Sequence, residues 1–292
     1  ETVERQDEST PFVMFDELNK HRGWRKYLKG VYDRFQNDYQ FLIAGSSRLD
    51  YPQRRGDSLA GRYYLLHLWP FTQAELGRAN LTAEEFFGNP QQVRMERQAE
   101  LQEVWQTLSE HSGFPEPYLS GRKTSYRRWS TAYAEQLIRE DIRDLTGIKA
   151  IDELGTLYQM LPAQVGQLSS VPALAQGLQM AYNTIRSWLF TLQRFFAVVS
   201  LAPWTRGIPR AIREGQKIYL WDAPRVEDPA ARFENMVALE LCRAVSNWNE
   251  LGYGRFSLNF VRTKDQQEVD FIISDDGKPV LLVDARADDH QP

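Results

Sequence analysis
The apolar positions fall into runs and stripes that predict a series of elements. PFVMF, residues 11–15, is an unbroken apolar run that fits a buried strand, and it leads directly into Asp16-Glu17. Trp24, Tyr27, Leu28, Val31, Tyr32 and Phe35 then recur at spacings of three and one, the single apolar stripe of an amphipathic helix. YQFLIAGSS supplies a second apolar strand, ending in Gly45-Ser46-Ser47. Strand, helix and strand in so short a stretch form a βαβ unit, with parallel strands and a right-handed crossover.

Further along, the pattern turns helical. LTAEEFF and VRMERQAELQEVWQTLSEH predict polar helix over 80–110, with Glu84-Glu85 behind Thr82 marking its start. SGFPEPYLS, 112–120, carries a glycine and two prolines and is expected to break the helix. WSTAYAEQLIREDIRDLTGI predicts an amphipathic helix with Tyr133, Leu137 and Ile138 near one face. IDELGTLYQM gives a helix stopping before Pro162. SSVPALAQGLQM gives another, capped by Ser169 or Ser170 with Pro172 near its first turn. YNTIRSWLFTLQRFF gives a third, with Ile185, Trp188, Leu189 and Leu192 inward. Two β-like segments follow, AVVSLAPW and QKIYLWD, so the order is helix, turn, helix and hairpin, that of a winged helix. ARFENMVALELCRAV then predicts a helix with Phe233, Val237, Leu241 and Val245 inward. After SLNFVRT, EVDFIISDDGKPVLLVDAR predicts a hairpin turning at Asp276-Gly277.

Composition narrows the function classes. The 292 residues suffice for two or three domains, and 42% hydrophobic with 25% charged residues is ordinary for a globular protein. A net charge of −4 gives no global basic field for nucleic acid, although residues 169–220 are locally positive. A single cysteine, Cys242, excludes a disulfide framework and a cysteine metal site, and suits a reducing cytoplasm. His21, His67, His111 and His290 lack ligand spacing. No apolar run approaches the roughly 18 residues of a membrane span, and no signal peptide or repeat is evident. The chain starts with Glu rather than Met, so it is expected to be a fragment.

The βαβ unit carries the first candidate chemistry. Its strands finish at one sheet edge, so Asp16-Glu17 and Gly45-Ser46-Ser47 are expected side by side, where open α/β sheets bind ligands. One carboxylate can hold hydrated Mg²⁺, the other can orient an attacking water, and a hydroxyl from the second strand can sense a terminal phosphate. On spacing alone, Asp16 and Asn19 serve equally well as caps of the following helix.

FVMFDELNK resembles a Walker B motif with its catalytic acid, and FLIAGSS resembles a sensor-1 strand. SLAGRYYLLHLWPFTQAEL, 58–76, is similar to the stretch that follows sensor 1 in a family of prokaryotic AAA-type ATPases carrying a domain called DUF4143. Ser58-Leu59-Ala60-Gly61-Arg62, Pro70-Phe71 and Glu75 match in order. So do SGFPEPYLS and, later, Trp129, Tyr133, Arg139, Asp141, Ile142 and Asp144-Leu145. The resemblance implies ATP binding and hydrolysis, with Asp16 on magnesium, Glu17 as the water-polarising acid and Ser46 or Ser47 as sensor. Arg62 is then a phosphate-facing arginine, or else an ordinary salt-bridged one. No GxxxxGK[ST] occurs in the sequence, so the β- and γ-phosphates lack their seat. The expectation is that an N-terminal part has been removed, and that this fragment binds ATP and Mg²⁺ poorly.

A helix Glu, a strand Asp and then acid-x-base resemble the PD-(D/E)xK nuclease core. That resemblance implies Glu234, Asp270 and Asp284 as metal-binding acids, with Arg286 as the cation beside the attacking water. Arg286 cannot act as a base, and Asp284 is one methylene shorter than the usual glutamate, so this region is expected to be inactive and cut short at its C-terminus. The winged-helix reading offers Asn183, Arg186, Ser187, Gln193 and Arg194 from its third helix. Arg206, Arg210, Arg213 and Lys217 come from the wing region, as donors to DNA phosphates. Its rival is a trihelical protein-contact module.

The sequence therefore predicts an α/β protein of three parts. These are a partial P-loop AAA-type core over 1–78, a helical linker and winged-helix domain over 79–225, and a restriction-endonuclease-like α/β region over 226–292. The leading function is ATP hydrolysis by the full-length protein, acting on DNA or on a protein partner, in the cytoplasm and away from membranes. The alternatives are a non-catalytic DNA- or protein-binding module with vestigial ATPase and nuclease parts, and an ATP-gated metal-dependent nuclease.

Overall fold
A computed structural model of the chain describes residues 10–18, 21, 23–45, 59, 61–77, 82–88, 98–205, 215–263, 265 and 267–286. It divides into two compact units, Glu1–Leu65 and Leu66–Pro292.

The first unit is built on β1 (Phe12–Asp16), α1 (Trp24–Phe35) and β2 (Gln40–Ala44). The strands pair in parallel, from Phe12 opposite Gln40 to Asp16 opposite Ala44. Of the predicted helical stripe, Trp24 and Leu28 are buried and Val31, Tyr32 and Phe35 half-buried, while Tyr27 is exposed. Phe15 stacks on Phe41 at 6.4 Å and meets the edge of Tyr27 at 6.5 Å. Phe12, Met14 and Leu42 lie more than half exposed on the opposite face. The period of two places Asp16 on that open face beside Phe12 and Met14.

The second unit begins with α2 (Gln73–Leu76), α3 (Ala83–Gly88) and α4 (Gln98–His111). Capping boxes start the first two. Thr72 and Glu75 exchange backbone bonds before α2, and before α3 Thr82 N donates to Glu85 Oε2 at 2.9 Å while Glu85 N donates to Thr82 Oγ1 at 3.1 Å. SGFPEPYLS breaks the helix as expected, α4 ending at His111, but from Pro115 it forms a short helix of its own, α5 (Pro115–Ser120). Its prolines fall in the first turn, where no intrahelical N–H is needed. The glycine of this stretch has a packing reason. Gly113 O accepts from Phe71 N at 2.6 Å, and a Cβ on Gly113 would stand 2.3 Å from Phe71 O.

Next come α6 (Lys123–Gln136), a π-helical turn over Leu137–Ile142, α7 (Arg143–Thr146) and α8 (Ile151–Met160). α9 (Val171–Gly177) is capped by Ser170, whose side chain accepts from Ala173 N, and α10 (Tyr182–Arg194) buries Ile185, Trp188, Leu189 and Leu192 as predicted.

The hairpin that follows is β3 (Val198–Leu201) and β4 (Lys217–Leu220), antiparallel from Val198 opposite Leu220 to Leu201 opposite Lys217. Every residue of β4 is buried, as are Val198, Val199 and Leu201, with Ile218 and Leu220 on one face of β4 and Lys217 and Tyr219 on the other. A 3₁₀ turn (Ala223–Arg225) leads to α11 (Pro229–Glu250), capped by Asp228 through Ala231 N. The antiparallel sheet β5 (Phe256–Arg262), β6 (Glu268–Asp275) and β7 (Lys278–Val283) completes the unit. The two-residue turn at Asp276-Gly277 falls where the sequence placed it, both residues having positive φ.

A single parallel bridge, Pro203 opposite Phe260, ties the chain after β3 to this sheet. Trp204 N donates to Phe260 O at 2.6 Å, and Phe260 N donates to Ala202 O at 3.3 Å, so residues after β3 run along the edge of β5. Asn235 on α11, fully buried, accepts from Leu220 N at 2.8 Å and donates to Leu220 O at 2.9 Å. The boundary expected at 225/226 thus runs through a bonded core. α11 is gripped from several sides, so its buried residues are Asn235, Met236, Ala238, Val245 and Trp248, while Phe233, Val237 and Leu241 are only half-buried. Among the described residues no helix is long and apolar enough to cross a membrane.

Candidate functional site
Two places gather the residues singled out by the sequence. At the end of β1, Asp16 is exposed and Glu17 half-buried. Glu17 N donates to Ala44 O at 2.9 Å, which ties the acid pair to the end of β2. The backbone of Glu17 has φ of 51°, a left-handed conformation uncommon for a residue with a Cβ. It ends the strand at Asp16. Arg62 Nε donates to Asp33 Oδ1 at 2.9 Å, the salt-bridged alternative of the sequence analysis. Asn19, Ser46 and Ser47 lie outside the described residues.

The second place lies between β4, α11 and β6. The Lys217 side chain is fully buried, and its ammonium stands 3.0 Å from Glu234 Oε1 and 3.1 Å from Asp270 Oδ1. Glu268 Oε1 is its third partner. Three N–H bonds of one ammonium meet three carboxylates. Tyr219 donates to Glu234 Oε1 at 2.7 Å, Ala285 N to Asp270 Oδ2 at 2.9 Å, and Arg262 pairs with Glu268 Oε2 at 3.3 Å. Burial works against charge on Lys217, but Glu234, Glu268 and Asp270 outweigh it and carry its pKa above the ordinary lysine value. Burial pushes the Glu234 carboxyl up.

This geometry corrects two expectations. Lys217 is not a phosphate donor on a wing, since it has no exposed surface and its charge is spent on the three acids. Nor do Glu234, Asp270 and Asp284 form the expected acid trio. Glu234 and Asp270 come together around the lysine, while Asp284 pairs with Arg286 at 2.6 Å on an exposed stretch. Among the described residues no group of three or more His, Cys, Asp or Glu could hold a metal ion. Arg186 is exposed on α10 with Asn183, Ser187 and Gln193. Arg206, Arg210 and Arg213 lie outside the described residues.

Residues 1–77 match the family model described as an AAA domain. That match supports an AAA-type ATPase domain at this end of the chain. Residues 102–223 match a domain of unknown function, DUF8612, where the sequence resemblance implies DUF4143. Uncharacterized proteins of Mycobacterium bovis and Mycobacterium tuberculosis are each 24% identical over 210 residues, which is 72% of this chain and 42% of theirs. The chain therefore matches less than half the length of these curated relatives. No solved structure matches it.

Glu268 and Tyr219 were missed by the motif reading. The signal was alternation: Lys217 and Tyr219 are two apart on one strand, Glu268 and Asp270 two apart on another, so each pair shares a face. A lysine inside an apolar strand needs such partners.

Proposed function
We infer that the N-terminal unit is the acid side of an AAA-type ATPase site, with Asp16 as magnesium ligand and Glu17 as the acid that polarises water. The observation that carries this reading is the in-register parallel pairing that ends both strands together, Asp16 opposite Ala44 and Glu17 bonded to it. The AAA match over 1–77 supports it. The donor set fits. Asp16 offers oxygen from an exposed strand end, as a hard hydrated cation requires. The left-handed turn at Glu17 is local strain of about 1–3 kcal/mol, of the kind that collects where a side chain must be aimed. Magnesium, when bound with ATP, would neutralise charge on the transferring phosphate. These 292 residues hold no GxxxxGK[ST], so the phosphate cradle is not among them.

In the full-length protein, Glu17→Gln should lower ATP turnover by about 10²–10⁴-fold while leaving ATP binding intact, the loss typical of a removed general base. Equal turnover in variant and parent would overturn the assignment.

A further inference from the structure
A cavity of about 430 Å³ opens beside the π-helical turn, within the size range of small-molecule sites. Its walls are α6, the π-helical turn, α8 and the 3₁₀ turn that carries Arg225. Arg225 lies over the ring of Tyr158, its Cζ 4.0 Å from the ring centroid. Stacking brings the guanidinium near the Tyr158 hydroxyl, with which it interacts electrostatically, and the buried Asp222 carboxylate acts on both groups. Arg225 Nη1 and Tyr158 Oη are both buried without a hydrogen-bond partner, and Tyr158 is only 1% exposed. A buried polar group left in this state is destabilising, more so when it is charged.

Two further features keep the cavity open. Gly155 sits mid-way along α8, where glycine is less favourable than alanine. No neighbour forbids a side chain there, since an added Cβ would meet only Ile138 Cγ2, at 3.8 Å. Its missing side chain is cavity. Opposite, the π-helical turn supplies Ile138 and Arg139 to the wall, and such turns recur at functional sites. Of the charged side chains around the cavity, Arg139 is paired with Asp152 at 2.8 Å, both largely exposed, and Glu135 is exposed at the rim.

We propose that this cavity binds a small organic anion. Its carboxylate or phosphate head accepts hydrogen bonds from Arg225 Nη1 and Tyr158 Oη, and its apolar body lies along Ile138 and Gly155. Arginine suits either head, because its planar N–H donors match both.

The test uses benzoate and phenyl phosphate as probes, with benzyl alcohol as the neutral control, followed by calorimetry and melting temperature on the full chain. At least one anion should bind and raise the melting temperature with concentration, and the alcohol should not. Gly155→Leu fills the cavity and should abolish binding in a chain that still melts cooperatively. Gly155→Ala is the folding control and should retain binding. Arg225→Gln should weaken binding at least tenfold. Failure of both anions to bind at millimolar concentration overturns the proposal. So does equal binding of benzyl alcohol, or unchanged anion binding in Gly155→Leu. The carboxylate and phosphate arms together tell which head the site prefers.

Discussion

Lys217 Nζ stands 3.0 Å from Glu234 Oε1, linking a hairpin strand to the long helix through an ammonium with no exposed surface. Lys217→Met would leave Glu234, Glu268 and Asp270 without their shared cation. Breaking a buried pair by removing one partner costs about 3–5 kcal/mol, and urea denaturation should show a loss of that order. Adding Glu234→Gln should lose less than the sum of the two single changes, by more than about 0.5 kcal/mol. Because the folded-state pKa of Lys217 lies above the ordinary value, its contribution is complete below about pH 10.4 and disappears as pH rises through the folded pKa. The parent should therefore weaken on the alkaline side more steeply than Lys217→Met.

Asn235 meets Leu220 with both ends of its amide, at 2.8 and 2.9 Å, in a wholly buried position. Asn235→Ala strands one N–H and one C=O, each worth about 1–3 kcal/mol of desolvation. Its midpoint of denaturation should fall accordingly. Asn235→Leu, although more apolar, should recover little, because the stranded groups belong to the backbone. Parent-like stability in either variant would contradict the pinning role.

Gly113→Ala places a methyl 2.3 Å from a main-chain oxygen. The obstacle is backbone, not the tip of a side chain, so the stretch around Phe71 must shift and the 2.6 Å bond between Phe71 N and Gly113 O must lengthen. Overpacking of this kind costs about 1–3 kcal/mol. Thermal melting of the variant tests it, and hydrogen exchange at the Phe71 amide should accelerate.

Asp222 is 1% exposed, and burial raises its pKa despite hydrogen bonds from Ser130 at 2.6 Å and Tyr126 at 3.3 Å, which pull the other way. Between the ordinary value of about 3.9 and the raised folded value, the folded chain holds more protons than the unfolded one. This group's contribution therefore grows as pH falls and is lost as pH rises through the folded pKa. Melting temperature followed from about pH 7 to about pH 4 should climb less in Asp222→Asn than in the parent. It should not become flat, because burial also raises Glu234 and Glu240.

How far the fold could be read from sequence depended on whether one element carried its own signal. The βαβ unit, the inward face of α10 and the Asp276-Gly277 turn were legible because periodicity and turn chemistry are local. Cap residues were legible to within one position, Ser170 being one of two serines proposed. The short helix at Pro115 was not, because the same prolines that break a helix interior favour its first turn. Least legible was Lys217. As a cation in a basic stretch it read as a surface donor, and only the approach of α11 and β6, far apart in sequence, shows it enclosed by acids. Asp270 and Glu234 were found from motif order, and Glu268 was passed over because no motif includes it.

The strip of chain from Ala202 to Trp204 lies along β5 and bonds to Phe260 through both backbone groups. It acts as a seal. Without it, β5 would present unpaired main-chain groups beside Phe260 and Val261, an open template for strands of other molecules. A shortened chain beginning at α11, as motif boundaries would suggest, should therefore express as aggregates, whereas one that keeps the hairpin should stay dispersed.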